Sequence, residues 1–166
     1  MLMKDLPIYL KDHLAGSVGA LDMLDHMIDA HEGKPLEAFL RTLRVDIDAD
    51  QNELKRLMKH LEVDESAVRN AGAWVAEKFS RVKLRIGDAG DPNLALLQSL
   101  ESLVLGITGK RSLWRNLGAV KKEMPRLTEF DFDELEKRAV DQFERVEEKA
   151  REVARQIFMA DLLAEK

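Results

Sequence analysis

The sequence predicts an all-α protein, a bundle of four long helices in a single domain that spans residues 1–166. Three observations indicate this class. Apolar residues recur at spacings of three and four along four long stretches of the chain. Three of the four prolines lie where such a stretch begins, as in a first helical turn. No Asn-Gly or Asp-Gly turn joins alternating apolar runs, so hairpins of strands are not indicated.

The first two helices form a predicted hairpin. The first is expected from about Pro7 to about Ala30, and Pro35 opens the second, which should end near Leu61. Only the short link of residues 31–34 joins them. Because such a link leaves no room for a crossing of the bundle, the two helices must be antiparallel neighbours.

The second half of the chain adds a crossover and another hairpin. A shorter apolar segment within residues 63–91 is expected to form an extra helix in the crossover. The third long helix opens at Asp91 and should run to about Leu117. The last helix starts near residues 131–133, where acidic side chains suit the positive end of a helix. The predicted order is therefore a hairpin, a crossover with an extra helix, and a second hairpin.

Three short motifs give the chain a resemblance to a known superfamily. They are Asp12-His13-Leu14-Ala15-Gly16, Leu103-Val104-Leu105-Gly106-Ile107-Thr108-Gly109-Lys110 and Phe130-Asp131-Phe132-Asp133. On these residues the chain resembles the ferritin-like four-helix bundles, and more narrowly an uncharacterised bacterial group of them. The resemblance extends over nearly the whole chain. It implies the ferritin-like order of helices and implies no particular activity.

The sequence cannot build the di-iron site typical of ferritin-like proteins. That site takes a Glu from each of two helices and a Glu-x-x-His from each of the other two. The four histidines are His13, His26, His31 and His60, so the last helix has none. No cofactor is therefore expected. The alternative is one metal ion in an oxygen-rich site, whose ligands would be His13, Asp50, Glu53 and Glu101.

Six polar residues interrupt the apolar stripes and are the candidate ligand-binding residues. They are His13, Asp46, Asp50, Glu53, Glu101 and Lys110. An isolated buried charge is costly, so these groups should pair with one another or with a ligand. A crude register places Asp46 and Glu101 in one layer and the other four in a neighbouring layer. It also brings Gln142 and Arg138 of the last helix to the level of Lys110.

This polar cluster has three interpretations. It is a structural network that fixes helix register, a pocket for a small ligand, or a metal site. We assign no catalytic residue and expect a module that acts by binding a partner or a small molecule. The competing class is a metal- or ligand-dependent enzyme that uses the buried His, carboxylate and Lys groups.

Two glycine pairs lie inside predicted helices. Gly16 and Gly19 are in the first helix, and Gly106 and Gly109 are in the third long helix. Glycine in a helix interior costs about 1 kcal/mol relative to alanine. Four such residues suggest that two helices pack closely here. The alternative is a crevice for a ligand beside the polar cluster.

Charge and composition exclude other classes of protein. With 31 acidic and 26 basic residues the net charge is −5, which disfavours nucleic-acid binding. No apolar run is long enough for a membrane span, and no signal peptide is apparent. The absence of cysteine excludes disulfides and fits a cytoplasmic protein. Self-association is expected from surplus apolar surface. A basic strip on the crossover is expected to face solvent; it comprises Lys78, Arg81, Lys83 and Arg85.

Overall fold

The computed structural model describes residues 4–65 and 91–165, and these residues form four long α-helices. Helix α1 is Asp5–Ala30, α2 is Leu36–His60, α3 is Pro92–Val120 and α4 is Phe132–Ala164. A single 3-10 turn, Pro125–Leu127, lies between α3 and α4. Neither described range contains a strand, so the predicted all-α class with four long helices is confirmed.

The helix ends lie within a few residues of their predicted positions. The third long helix, α3, continues past Leu117 to Val120. Two predictions fall outside the described residues. These are the extra helix of the crossover from residue 66 onward, and the basic strip of Lys78, Arg81, Lys83 and Arg85.

Local hydrogen bonds explain where the helices begin. The Asp91 carboxylate accepts a hydrogen bond from the Asn93 amide at 2.8 Å, just before Pro92 opens α3. Asp131 likewise accepts from the Glu134 amide at 3.0 Å and caps α4. In the α1–α2 turn, Gly33 adopts a φ of 72°, which favours glycine.

Side-chain contacts between helices determine their directions. The contacts are Ser17–Gln51 and Asp25–Arg44 between α1 and α2, Asp46–Arg145 and Asp50–Arg138 between α2 and α4, and Lys110–Gln142 and Arg115–Glu136 between α3 and α4. In each pair of helices, a later residue on one contacts an earlier residue on the other. All three pairs are therefore antiparallel. Since α2 and α3 are both antiparallel to α4, they are parallel to each other, and α1 is antiparallel to α3.

The core between the helices is rich in leucine, and a group of aromatic rings packs at one end of it. The buried Trp114 ring lies 6.3 Å from the Phe132 ring, and Phe132 lies 6.0 Å from Phe130. The Lys121 ammonium donates to the Phe130 carbonyl at 2.6 Å, and the Arg56 guanidinium lies 4.1 Å from the centre of the Phe130 ring. These contacts hold the C-terminal end of α3 against the start of α4, which positions Trp114.

Candidate functional site

A cavity of about 530 Å³ opens between α1 and α3, with residues of α2 completing its lining. Small-molecule sites in proteins typically have volumes of roughly 300–1,000 Å³. Its wall is mainly apolar, and Leu54, Leu103 and Ile107 contribute to it. A few polar groups interrupt that wall, which is the usual composition of a pocket that binds a small organic molecule.

Three glycines widen the cavity. Gly16 of α1 and Gly106 and Gly109 of α3 all line it. A Cβ atom added at any of the three would meet no atom of another helix within 4 Å. The predicted close packing of two helices is therefore wrong at these positions, and the crevice alternative agrees with the structure. A glycine allows close approach only where a neighbouring helix fills the space beside it, and at these three positions that space is open.

The polar part of the cavity centres on Asp50, whose side chain is only 1% exposed. Its Oδ2 accepts hydrogen bonds from the Lys110 ammonium at 2.6 Å and from Gln142 Nε2 at 2.8 Å. Its Oδ1 lies 2.5 Å from the Arg138 guanidinium. Lys110 also donates to Gln142 Oε1. One carboxylate from α2 is thus bound by side chains of α3 and α4, which satisfies a charge that would be costly alone.

Burial and neighbouring charges act in opposite directions on the Lys110 ammonium. Burial lowers the pKa of Lys110 below its usual range, although the adjacent Asp50 carboxylate acts in the opposite direction. Arg138 approaches the same carboxylate and adds a second positive charge. The Asp46 carboxylate, one turn before Asp50 on α2, also favours the charged form of Lys110.

A second polar group of residues lies on the α1 side of the cavity. Gln51 Nε2 donates to the Ser17 hydroxyl at 2.9 Å, and that hydroxyl donates to the Leu14 carbonyl at 2.7 Å. The His13 ring meets the Tyr9 ring edge to face, with 4.6 Å between their centres. Burial lowers the pKa of His13, and the weaker effect of Asp12 opposes the shift. His13 is therefore neutral at pH 7.

This shift predicts how His13 affects stability at acid pH. A folded-state pKa below the unfolded value near 6.5 means that the unfolded chain binds the proton more readily. His13 should therefore contribute to a loss of stability as the pH falls from about 7 to about 5. Urea unfolding across this range should show a steeper loss for the wild type than for His13→Gln. Parallel curves for the two proteins would contradict the buried, neutral histidine.

Trp114 also borders the cavity, one turn after Lys110 on α3. Its side chain is about 1% exposed, and its indole N–H has no hydrogen-bond acceptor among residues 4–65 and 91–165. The sequence indicated only a core or interface role for this tryptophan. Its spacing of four from Lys110 was the available signal, because residues four apart share a helix face.

Of the six sequence-predicted candidates, three line the cavity and three do not. His13, Asp50 and Lys110 line the cavity. Asp46 is paired at 2.6 Å with Arg145 where both side chains are about one-third exposed. The remaining two, Glu53 and Glu101, lie outside the cavity lining.

Glu53 and Glu101 do not lie where the sequence predicted them, because the predicted register of α2 against α3 was wrong. Lys110 contacts Asp50 rather than Glu53, which is a displacement of about one turn. Glu53 instead pairs with Arg56 of its own helix at 2.9 Å. Glu101 is exposed, since it follows the buried Leu100 and a step of about 100° turns it to the outer face. The predicted layer of Asp46 and Glu101 is therefore absent from the described helices.

The proposed metal ligands do not converge. Within the part of the chain that the structure describes, no three His, Asp or Glu side chains are placed to hold a metal ion. Of the four residues named for that role, Asp50 pairs with two cations and accepts hydrogen bonds at Oδ2 from Lys110 and Gln142, and Glu53 pairs with Arg56.

Comparisons with known proteins give no family assignment. No protein-family model, curated protein or solved structure matches this chain. Across the described helices, none has the length and apolar character needed to cross a membrane. A functional proposal therefore depends on the cavity and the residues around it.

Proposed function

We propose that this protein is a ferritin-like bundle that binds an apolar small molecule in the cavity between α1 and α3. The observation that carries the proposal is the open space at Gly16, Gly106 and Gly109. Glycine lowers the stability of a helix at these positions, and no neighbouring helix fills the space that it leaves. The antiparallel pairing within each hairpin, together with parallel α2 and α3, supports the ferritin-like arrangement.

The proposed role is binding rather than catalysis. Asp50, the most buried carboxylate of the cavity, is paired with the Lys110 and Arg138 cations, and this supports a positioning role over proton transfer. In this proposal the Asp50 network fixes the spacing of α2, α3 and α4 beneath the ligand. The cytoplasmic location and self-association expected from the sequence stay predictions, although the end of α4 does expose large apolar side chains.

The proposal is tested by titrating the protein with N-phenyl-naphthylamine, a neutral apolar fluorophore that brightens when it leaves water. The wild type should bind it. Gly106→Leu should weaken binding more than about ten-fold, a loss of about 1.4 kcal/mol, because the new side chain takes space in the cavity that the fluorophore needs. Since a Cβ at Gly106 meets open space, this variant should still fold, as checked by circular dichroism.

Thr108→Leu is the matched control. Thr108 is an exposed residue of α3 that does not line the cavity, so the same leucine there should leave binding unchanged. Absence of binding by the wild type would overturn the proposal. Equal binding by wild type and Gly106→Leu would place the fluorophore elsewhere and would also overturn it.

A further inference from the structure

Gln51 brings a hydrogen-bond acceptor to the wall of the cavity. Its side chain lines the cavity from α2 and is only 6% exposed. The Ser17 hydroxyl has one proton, which it donates to the Leu14 carbonyl at 2.7 Å. The Gln51 atom that lies 2.9 Å from this hydroxyl must therefore be the donor Nε2. The amide oxygen, Oε1, consequently lies on the other side of the amide group.

The Gln51 Oε1 atom has no partner and is open to the cavity. It accepts no hydrogen bond from residues 4–65 or 91–165. The atoms of these residues that lack a partner and are also sealed from solvent are Asp50 Oδ1, Arg111 Nε and Trp114 Nε1, so Gln51 Oε1 is not sealed. Because the rest of Gln51 is buried and the residue lines the cavity, the cavity is the space from which this oxygen is reached. A ligand there that carries a donor would satisfy it.

The surroundings of Gln51 favour a neutral donor over a charged one. His13 lines the same side of the cavity one turn before Ser17, and burial lowers its pKa so that it is neutral at pH 7. Among the described residues, the acids that line the cavity are Asp50, which is paired with two cations, and Asp12, which is exposed. A cationic ligand would therefore meet no unpaired carboxylate inside the cavity, and its burial would be costly.

We infer that the ligand is an apolar alcohol, whose hydroxyl donates to Gln51 Oε1 and whose apolar body packs against Leu103 and Ile107. This inference rests on the proposed function, because it names the ligand class of the same cavity. A hydroxyl supplies the donor that Gln51 Oε1 lacks and adds no charge to a mainly apolar wall. A ketone, an ether or a carboxylate only accepts hydrogen bonds and would leave this oxygen unsatisfied.

The experiment compares how 1-octanol and its isomer heptyl methyl ether displace N-phenyl-naphthylamine from the protein. The two probes contain the same atoms and similar apolar chains, but only the alcohol has a hydroxyl proton to donate. The wild type should bind the alcohol about five-fold more tightly or better, as one hydrogen bond implies. Gln51→Met should bring the two affinities within about two-fold, because methionine has a similar length and no amide oxygen.

Gln98→Met is the matched control. Gln98 is an exposed glutamine of α3 that does not line the cavity, so its replacement should leave the preference for the alcohol unchanged.

Ser17→Ala is a second variant, with a smaller change at the same place. It removes the hydroxyl that fixes the orientation of the Gln51 amide, so the amide can turn its N–H groups into the cavity. The ether should then gain affinity relative to the alcohol, and the preference should narrow. A general loss of packing would weaken both probes alike. Circular dichroism checks that each variant folds.

The outcomes separate this inference from the proposed function. Equal displacement by the alcohol and the ether in the wild type would overturn the inference, as would a preference that survives Gln51→Met or is unchanged in Ser17→Ala. In these cases binding of the fluorophore by the wild type would still uphold the proposed function. If the wild type does not bind the fluorophore, the proposed function fails and this inference fails with it.

Discussion

Replacement of Asp50 by alanine should lower the free energy of unfolding by about 3–5 kcal/mol. The change leaves Lys110 and Arg138 facing each other without the carboxylate that both contact, and it deprives Gln142 Nε2 of its acceptor. Removal of one partner from a buried ion pair costs far more than the pair contributes as a whole, because the remaining charge stays desolvated. Urea unfolding followed by circular dichroism measures the difference.

Asp46→Ala is the control for this prediction. Asp46 lies one turn before Asp50 on α2 and also forms an ion pair across to α4, but it and Arg145 are about one-third exposed. Its loss should therefore cost only about 0–1 kcal/mol. Equal effects of the two substitutions would mean that burial does not distinguish the two pairs, and the central role of Asp50 would be wrong.

Replacement of Trp114 by alanine should cost about 3–5 kcal/mol, the usual range for a large aromatic side chain in a core. Trp114 is almost fully buried and packs on Phe132 where α3 meets α4. Trp114→Phe should cost much less, about 1 kcal/mol, because it keeps a ring in this stack. It also removes a buried N–H that has no acceptor among the described residues, so no hydrogen bond is lost.

The comparison of these two variants tests the environment of the indole N–H. A loss from Trp114→Phe as large as that from Trp114→Ala, measured by urea unfolding, would mean that the N–H makes a stabilising hydrogen bond. A small loss would mean that the buried N–H makes no hydrogen bond that stabilises the fold.

Much of the fold followed from local sequence patterns. Apolar spacing of three and four located four helices, and Pro92, Asp91 and Asp131 marked two of their starts. These signals are local, since a cap or a first-turn proline acts on its own helix. The antiparallel first hairpin also followed, because the short link after α1 permits little else.

The site was harder to predict because it depends on the rotation and register of each helix. Asp50 and Lys110 were found because they interrupt apolar stripes, and a buried charge requires a partner. Glu101 satisfied the same criterion but is exposed, since a shift of one residue turns a side chain by about 100°. The predicted register of α2 against α3 was wrong by about one turn. The sequence of either helix alone could not reveal that error.

The glycines were ambiguous for a different reason. Gly106 and Gly109 have the same helical spacing whether a second helix fills the space beside them or leaves it open. Only the position of α1 relative to α3 distinguishes close packing from a crevice. That position depends on contacts throughout the bundle, which a local pattern does not encode.

The most direct test is a structure determined from crystals of the protein that were grown with N-phenyl-naphthylamine. We expect density for the fluorophore between α1 and α3, beside Gly16 and Gly106 and above the Asp50–Lys110 pair. A structure in which α1 and α3 pack directly against each other and close the space at those glycines would contradict it.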